Sequence, residues 1–594
     1  MVVGQGRFQA GLIVEPANAE DAKDAGAFID KIWPTVQRGN GTVAAHGRIF
    51  KSKIAITKPD KPFARAPKGS IMRRQTNKLY EKEIDAIYAH EAFADQLTKL
   101  DPSATKEEIT ETVRKSLTLA LPSVPKDVKA DDDLFSYSID SLGVLGLTSA
   151  LNHALPEGEN PIKPRNIYSN ATITGIVESV TAILHGDHQT GQKPRDQRMS
   201  DMVAKYTKSL PAHVDIPSRD HKHVVALTGS TGSLGTYLLN LMIQDSNVTK
   251  VYCLNRSADS ESRQKKAFSE RSMTPEFSKV EFLTASFGKD SFGLPSSKYK
   301  QLQDHVDVFI HNAWAVDFNM SLKSFEETHI SGVWRCIDFS ASSRYHPQIV
   351  FVSSIASVGG WHASGKQGPV PEELLSNDLV SLPQGYGESK HVSGRILAAA
   401  AEKTGIPATV VRVGQLAGPV TEQGVWNKQE WLPSIVASSK EIGKVPRNLG
   451  NMDTVDWVPV DAAAQVLLDL AFNTQIDEKL QRQHLAFYHL VNPKTESWKV
   501  LAPAVQQHFK AKNVELEAVD FKDWLEALKA LPVTKENAER VPGLKLIDFY
   551  EGLAAAQGLP RLATDSTAAT SDTLRNLGSV DEGMVRKWLE QWDF

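Results

Sequence analysis

Cysteine is nearly absent. Two thiols, Cys253 and Cys336, in 594 residues leave no disulfide framework and no thiolate metal cluster, and point to a reducing compartment. An excess of one charge is missing too: 67 Lys and Arg stand against 71 Asp and Glu, a net charge of -4, which excludes the footprint of a nucleic-acid binder or a polybasic membrane face. No apolar run reaches membrane-spanning length, and Met1 to Phe8 lack the basic flank, apolar core and cleavage site of a signal peptide. A soluble, cytoplasmic, multidomain α/β protein with a small-molecule or protein partner is expected, its length suggesting about three to five domains.

The stretch that organises the rest runs from Asp133 to Ala150. Asp140-Ser141-Leu142 opens an apolar periodic run through Leu145, Leu147 and Leu151, which places the Ser141 hydroxyl at a helix N-terminus. Two readings stay open on those residues alone: Ser141 is an N-cap, or it is a site reached by a modifying enzyme. The stretch resembles the Asp-Ser-Leu core of carrier domains of nonribosomal peptide and polyketide synthetases, with Ile139 where a small residue is usual. The resemblance implies that Ser141 carries 4'-phosphopantetheine, attached by a phosphopantetheinyl transferase. The carrier is expected over 104–185, with helices at Lys106 to Leu121, Ser141 onward and Thr172 to Leu184 around one apolar seam. Asp131, Asp132 and Asp133 read as a solvated turn or as a negative docking surface.

Upstream, residues 1–95 read as a small α/β fragment: an apolar run at Gln9 to Val14, helical spacing over Ala19 to Gln37, and strand alternation over Ile49 to Thr57. Phe63 to Ile84 resembles the final motif of adenylate-forming domains, whose lysine assists acyl-adenylate formation. Gly69-Ser70 replaces the usual Gly-Lys, leaving Lys68 or Lys78 as the counterpart. The expectation is a C-terminal part of an adenylating domain, without the main nucleotide pocket, so that an adenylating partner acts in trans. Residues 186–219 are polar and read as a linker holding one short helix, Met199 to Leu210.

From 220 the pattern changes to apolar strands alternating with amphipathic helices, the mark of a Rossmann-type doubly wound sheet. Six buried strands are expected: Val224 to Leu227, Val251 to Leu254, Val280 to Leu283, Val306 to Ile310, Ile349 to Val352 and Thr409 to Val413. The first runs into Thr228-Gly229-Ser230-Thr231-Gly232-Ser233-Leu234-Gly235, where glycines let the backbone approach a pyrophosphate lying on the following helix N-terminus. Thr228, Gly229, Thr231, Gly232, Ser233, Leu234 and Gly235 are therefore candidate cofactor contacts. Arg256, at the end of the second strand, stands where an NAD site carries a carboxylate, so the expected cofactor is NADPH, with Arg263 and Lys266 as helpers. Tyr386 and Lys390 are four apart on one helix face, and a cation beside a phenol is expected to pull its pKa down from about 10. The strand ending in Ser353-Ser354 delivers a hydroxyl to the same crevice. Gly359 to Gly385 is Gly- and Pro-rich and reads as a mobile lid.

Ser354, Tyr386 and Lys390 together resemble the catalytic trio of extended short-chain dehydrogenase/reductases. More narrowly, 220–594 resembles the thioester reductase domain that ends fungal carboxylic acid reductases and aminoadipate-reductase-type synthetases, on the Gly-rich loop, His311-Asn312-Ala313-Trp314 with Asn319, Val411 to Gln415, and Trp457 to Asp461. The resemblance implies that His311, Ala313 and Val413, with Tyr386 and Lys390, flank the nicotinamide ribose and ring. It also implies a mostly helical cap from about 475, including Asp520 to Leu531 and Leu544 to Ala555, over the acyl pocket. His311 has no ligand cluster near it, and no metal is expected. The implied reaction is NADPH-dependent release of a carrier-bound acyl thioester as an aldehyde, with further reduction to the alcohol left open. A dehydrogenase or epimerase acting on a soluble substrate and an inactive scaffold are the alternatives.

Overall fold

A computed structural model of the chain describes residues 1–3, 11–22, 24–40, 49, 51–58, 60–65, 71–84, 97–121, 124–125, 127–132, 134–137, 139, 141–156, 162, 166–167, 172–185, 193–215, 222–318, 320–473, 484–531, 540–555 and 558–594. Two compact units emerge, Met1–Gly191 with Leu531–Lys545, and Gln192–Ala530 with Leu546–Phe594. Lys68, Asp133, Asp140 and Asn319 lie outside the described residues.

In the first unit, Val2–Val3, Gly11–Val14 and Ile54–Ile56 form a three-stranded sheet accompanied by helix Ala25–Asn40. The carrier segment follows the expected plan. Its first helix, Lys106–Ala120, starts with a capping box: Glu108 N donates to Thr105 Oγ1 (3.3 Å) and Thr105 N donates to the Glu108 carboxylate (2.7 Å). Its inner face, Ile109, Val113 and Leu117, packs with Val144, Leu147 and Leu151 of helix Ser141–Ala154 and with Ile173, Ile176 and Val180 of helix Ile173–His185. Ser141 is the first residue of its helix, as expected. The acidic turn is structural as well as charged. Asp131 accepts from Thr174 Oγ1 at 2.8 Å, and Asp132 accepts from Lys129 N at 3.2 Å and from the Tyr137 hydroxyl at 3.1 Å.

The second unit is built on seven parallel strands: β1 His223–Thr228, β2 Val248–Asn255, β3 Val280–Thr284, β4 Val308–His311, β5 Gln348–Ser354, β6 Ala408–Val413 and β7 Leu485–Leu490, in the order β7-β6-β5-β4-β1-β2-β3. Because side chains alternate along a strand, each strand feeds two cores. Ala226, Tyr252, Phe309 and Phe351 pack on one face, whereas Val225, Leu227, Ile310, Val350 and Val352 pack on the other. The strand order reverses between β1 and β4, so the loops leaving them diverge and open a crevice at the C-terminal edge of the sheet.

Two sequence expectations are revised here. The segment from about 475 is not only a helical cap: Leu485–Leu490 completes the sheet, pairing Phe487 with Val410 and Leu490 with Val413, and helices Phe521–Lys529 and Ile547–Ala555 follow it. Nor is 193–215 a bead in a linker. Helix Arg195–Thr207 belongs to the second unit, with Met199 fully buried in that unit's core beside Val392 and Ile396. Its charged outer residues masked an apolar edge of Met199 and Val203, four apart and both buried.

Candidate functional site

The Gly-rich loop leaves β1 at Thr228, which is fully buried. Its Oγ1 accepts from the backbone N–H groups of Asn312 (2.9 Å) and Ala313 (2.8 Å), and its own proton is left for His311 Nδ1 at 3.2 Å. Thr228 thus joins the β1 and β4 loops on either side of the crevice, and its hydroxyl is engaged within the protein. Gly229 takes φ +70°, and a Cβ there would meet Ala313 Cα at 3.1 Å. Gly232 caps helix Ser233–Gln244 without a side-chain hydrogen bond, and Gly232 and Ser233 are exposed, so the first N–H groups face outward unsatisfied by any cap. That is the arrangement an anion needs. Thr231 is half-buried beside them and Leu234 turns into the core. Arg256 is exposed just past β2 and, among the described residues, pairs with no carboxylate. These features fit a dinucleotide with an added phosphate.

Tyr386 and Lys390 lie on helix Gly385–Thr404, and Ser354 ends β5. The structure brings the three together: the Tyr386 phenol is hydrogen-bonded to Ser354, whose Oγ also accepts from Ala356 N at 3.2 Å. Val413 is the register partner of Ser354 on β6, which brings that residue to the same edge. Lys390 Nζ donates to Val352 O at 2.5 Å and sits 4.0 Å from the Trp314 ring centroid. It is 6.0 Å from the Tyr386 ring. The expected fall in the tyrosine pKa does not occur. Burial raises it, opposed by the Ser354 hydrogen bond, and Lys390 spends its charge on Trp314 and the Val352 carbonyl. Burial likewise pushes the Lys390 ammonium well below its usual value. A phenol that keeps its proton suits a group that donates one.

His311 is buried and held neutral, its pKa pushed down to about 3 by burial and by the Lys390 charge. With Nδ1 accepting from Thr228, Nε2 carries the proton, and that atom and Trp314 Nε1 have no partner among the described residues. Two unsatisfied donors beside Lys390 are what a bound polar ligand would complete. Sequence reasoning named the loop but missed His329, 4.7 Å from Trp314 ring to ring and lowered to about 4 by burial, then by Lys390 and Arg256. It also missed an aromatic wall: Phe318 stands edge-on to Tyr386 at 5.2 Å and stacks on Phe549, which leans on Trp431. No local signal in the sequence joins residues so far apart.

The expected mobile lid is instead anchored. Gly360 N donates to Val380 O (2.8 Å), Val370 bridges to Leu562, and buried Glu372 accepts from the backbone of Ser566 and Thr567 at 2.6 and 3.0 Å. Arg412, on β6, donates to Pro371 O and Glu373 O. Gly and Pro here serve close packing: a Cβ on Gly360 would lie 2.5 Å from Ser381 O. Among the described residues no cluster of metal-ligating side chains occurs, and no helix is long and apolar enough to cross a membrane. Ser141 belongs to the other compact unit.

Three protein-family models match in succession: AMP-binding enzyme C-terminal domain over residues 1–92, phosphopantetheine attachment site over 108–180, and male sterility protein over 227–467. Among curated proteins, the chain is 38% identical over 611 residues to a carboxylic acid reductase of Neurospora crassa, covering 100% of the chain and 57% of the relative. It is 32% identical over 645 residues to the adenylate-forming reductase Nps11 of Serpula lacrymans, again over 100% of the chain and 57% of the relative. The chain therefore spans little more than half the length of the relatives it matches. Among solved structures, the terminal R domain of a myxalamid PKS-NRPS pathway aligns with TM-score 0.54 at 22% identity, over 66% of this chain and 97% of that one. A thiolation-reductase di-domain from an archaeal nonribosomal peptide synthetase aligns with TM-score 0.54 at 17% identity, over 84% and 99%. At those identities the structures support the fold.

Proposed function

The chain belongs with the adenylate-forming reductases, matching their carrier and reductase region, and from that premise we propose that it reduces an acyl group held as a thioester on the phosphopantetheine of Ser141 and releases it as an aldehyde. The observation that carries this reading is the meeting of Ser354, Tyr386 and Lys390 at the edge of the sheet that also presents the Gly-rich loop. NADPH supplies the hydride, and the phosphopantetheine arm supplies the thioester sulfur.

The chain's own residues bind, orient and protonate. Gly229, Gly232 and Gly235 let backbone and helix N-terminus receive the pyrophosphate, and Arg256 pairs with the 2′-phosphate. Tyr386, kept protonated by burial, donates to the oxygen of the carbonyl as it gains charge, while Ser354 hydrogen-bonds the same oxygen. Lys390 orients the ribose, and neutral His311 offers its Nε2–H beside it. Phe318 and Phe549 border the acyl side of Tyr386. Loading of Ser141 is assigned to a phosphopantetheinyl transferase and then to an acyl-adenylating activity, in a reducing, cytoplasmic setting where buried Cys253 and Cys336 stay free.

The test has two parts. Intact mass after incubation with a phosphopantetheinyl transferase and CoA should rise by one arm in the wild-type chain and not in Ser141→Ala. NADPH should then be consumed when a soluble acyl thioester is added, with aldehyde as product. Modification of Ser141→Ala, or no turnover of any acyl thioester, would overturn the corresponding half.

A further inference from the structure

Helix Arg195–Thr207 has a connection to the site that its polar sequence conceals. The Arg195 guanidinium, 21% exposed, donates through Nε to Glu388 Oε1 at 2.6 Å. One terminal nitrogen donates to Ser381 O, Ser381 Oγ and Leu382 O at 2.7, 2.6 and 2.8 Å. A turn further on, Ser200 Oγ donates to Asp378 at 2.6 Å, and Arg395 reaches the other oxygen of that carboxylate at 2.6 Å.

The acceptors occupy a particular place. Glu388 lies between Tyr386 and Lys390 in sequence and roughly 200° round the helix from Tyr386, so it holds the tyrosine helix from behind. Ser381 and Leu382 lead directly into Gln384, the residue that caps this helix. In front there is no slack: a Cβ on Gly385 would lie 2.2 Å from Met320 O, and one on Gly387 2.6 Å from Ala356 O. The first helical turn is thus wedged between two loop backbones and fastened at its rear by a single guanidinium. Glu388, with a side chain 7% exposed, is a buried carboxylate whose desolvation that guanidinium offsets. Without it, Glu388 is a buried carboxylate that has lost its guanidinium partner and swings toward water, and the turn carrying Tyr386 moves with it.

We infer that Arg195 is a positioning residue for the reaction: through Glu388, Ser381 and Leu382 it fixes the turn that aims the Tyr386 hydroxyl. The inference rests on the thioester-reductase reading for its kinetic consequence, and on geometry alone for its structural one. Misplacement of a reacting group by about 1 Å costs about 100-fold, so Arg195→Ala should lower kcat by about 10- to 100-fold while NADPH affinity, set at the far loop, stays within about twofold. Arg195→Lys, which keeps one donor group, should recover part of the loss.

A double-mutant cycle separates positioning from general damage. If Arg195 acts through the phenol, Arg195→Ala should cost little further in a Tyr386→Phe background. Glu388→Gln, a milder lesion, should reproduce the kcat loss if Arg195→Ala fails to fold. Amide hydrogen exchange over 381–388 in the full chain should quicken in both variants. Wild-type kcat in Arg195→Ala and Glu388→Gln, or an undiminished loss in the Tyr386→Phe background, would overturn the inference. If the wild-type chain reduces no thioester, the proposed function falls and the exchange experiment decides alone: unchanged protection over 381–388 would then remove Arg195 from this role.

Discussion

A Cβ placed on Gly235 would lie 2.1 Å from the carbonyl oxygen of Gly229. The third glycine of the loop is therefore the point where helix Ser233–Gln244 rests on the turn that precedes it, and it sets how closely the helix N-terminus approaches the sheet edge. Gly235→Ala should push helix and turn apart at a cost of about 1 to 3 kcal/mol, weakening NADPH roughly 5- to 150-fold. Fluorescence titration of NADPH, with a thermal melt to confirm folding, measures this. Unchanged affinity would mean that the loop does not carry the pyrophosphate.

Tyr386→Phe removes one hydroxyl from a buried ring that keeps its neighbours Phe318 and Phe325. The fold and NADPH binding should persist, while reduction of an acyl thioester falls by about 10²- to 10⁴-fold, the usual worth of general acid catalysis. Since burial raises this pKa, the wild-type rate should show no loss of Tyr386's proton between pH 6 and 9. Single-turnover kinetics at saturating NADPH is the measurement; near wild-type turnover would take the phenol out of the mechanism.

Arg256→Ala should abolish most of the preference for NADPH over NADH. A charge-assisted hydrogen bond contributes about 1.5 to 3 kcal/mol, or roughly 10- to 100-fold in affinity. The ratio of kcat/KM for the two cofactors reads this directly. An unaltered ratio would assign the phosphate to another cation, with Arg263 and Lys266 on the next helix the first to examine.

The helix start at Ser141 and the first six strands were legible because each rests on a local pattern: Asp140-Ser141 before a periodic run, glycines between a strand and a helix at 229–235, apolar runs of strand length. What escaped the sequence depends on long-range partners. Leu485–Leu490 becomes a strand by pairing with β6, some 77 residues earlier by the Ala408–Leu485 register. Segment 359–385 looked mobile by its Gly and Pro content, yet it is held by Thr567 and Arg412, which composition cannot indicate. The tyrosine's pKa went the other way from expectation because spacing on a helix places a lysine nearby without saying where its Nζ points. Here it points at Trp314.

Buried histidines give the fold an acid sensitivity that can be worked out in sign. His489 on β7 donates from Nδ1 to Ala563 O at 2.7 Å, and its Nε2 accepts from Arg412 at 3.0 Å, so both nitrogens are used by the neutral ring. Burial, then the Arg412 charge, pushes its pKa down to about 3, and His311 is likewise held at about 3. In the unfolded chain both titrate near 6.5. As pH falls below that value the unfolded state takes up protons first, so stability is full above about 6.5 and is lost progressively toward the folded values. From pH 6.5 to 5 each histidine accounts for on the order of 2 kcal/mol, and His329, at about 4, adds in the same direction. Glu430 and Asp456, raised to about 6 chiefly by burial, act with the opposite sign once pH drops below 6. Over that one unit they offset about 1.4 kcal/mol each at most, and their side chains are only half-buried by exposure, so the histidines prevail. The melting temperature of the second unit should therefore fall between pH 7 and pH 5, and His489→Gln should make that fall shallower. A melting temperature that holds or rises on acidification would show that these histidines are protonated in the folded protein, with Arg412 displaced from His489 to allow it.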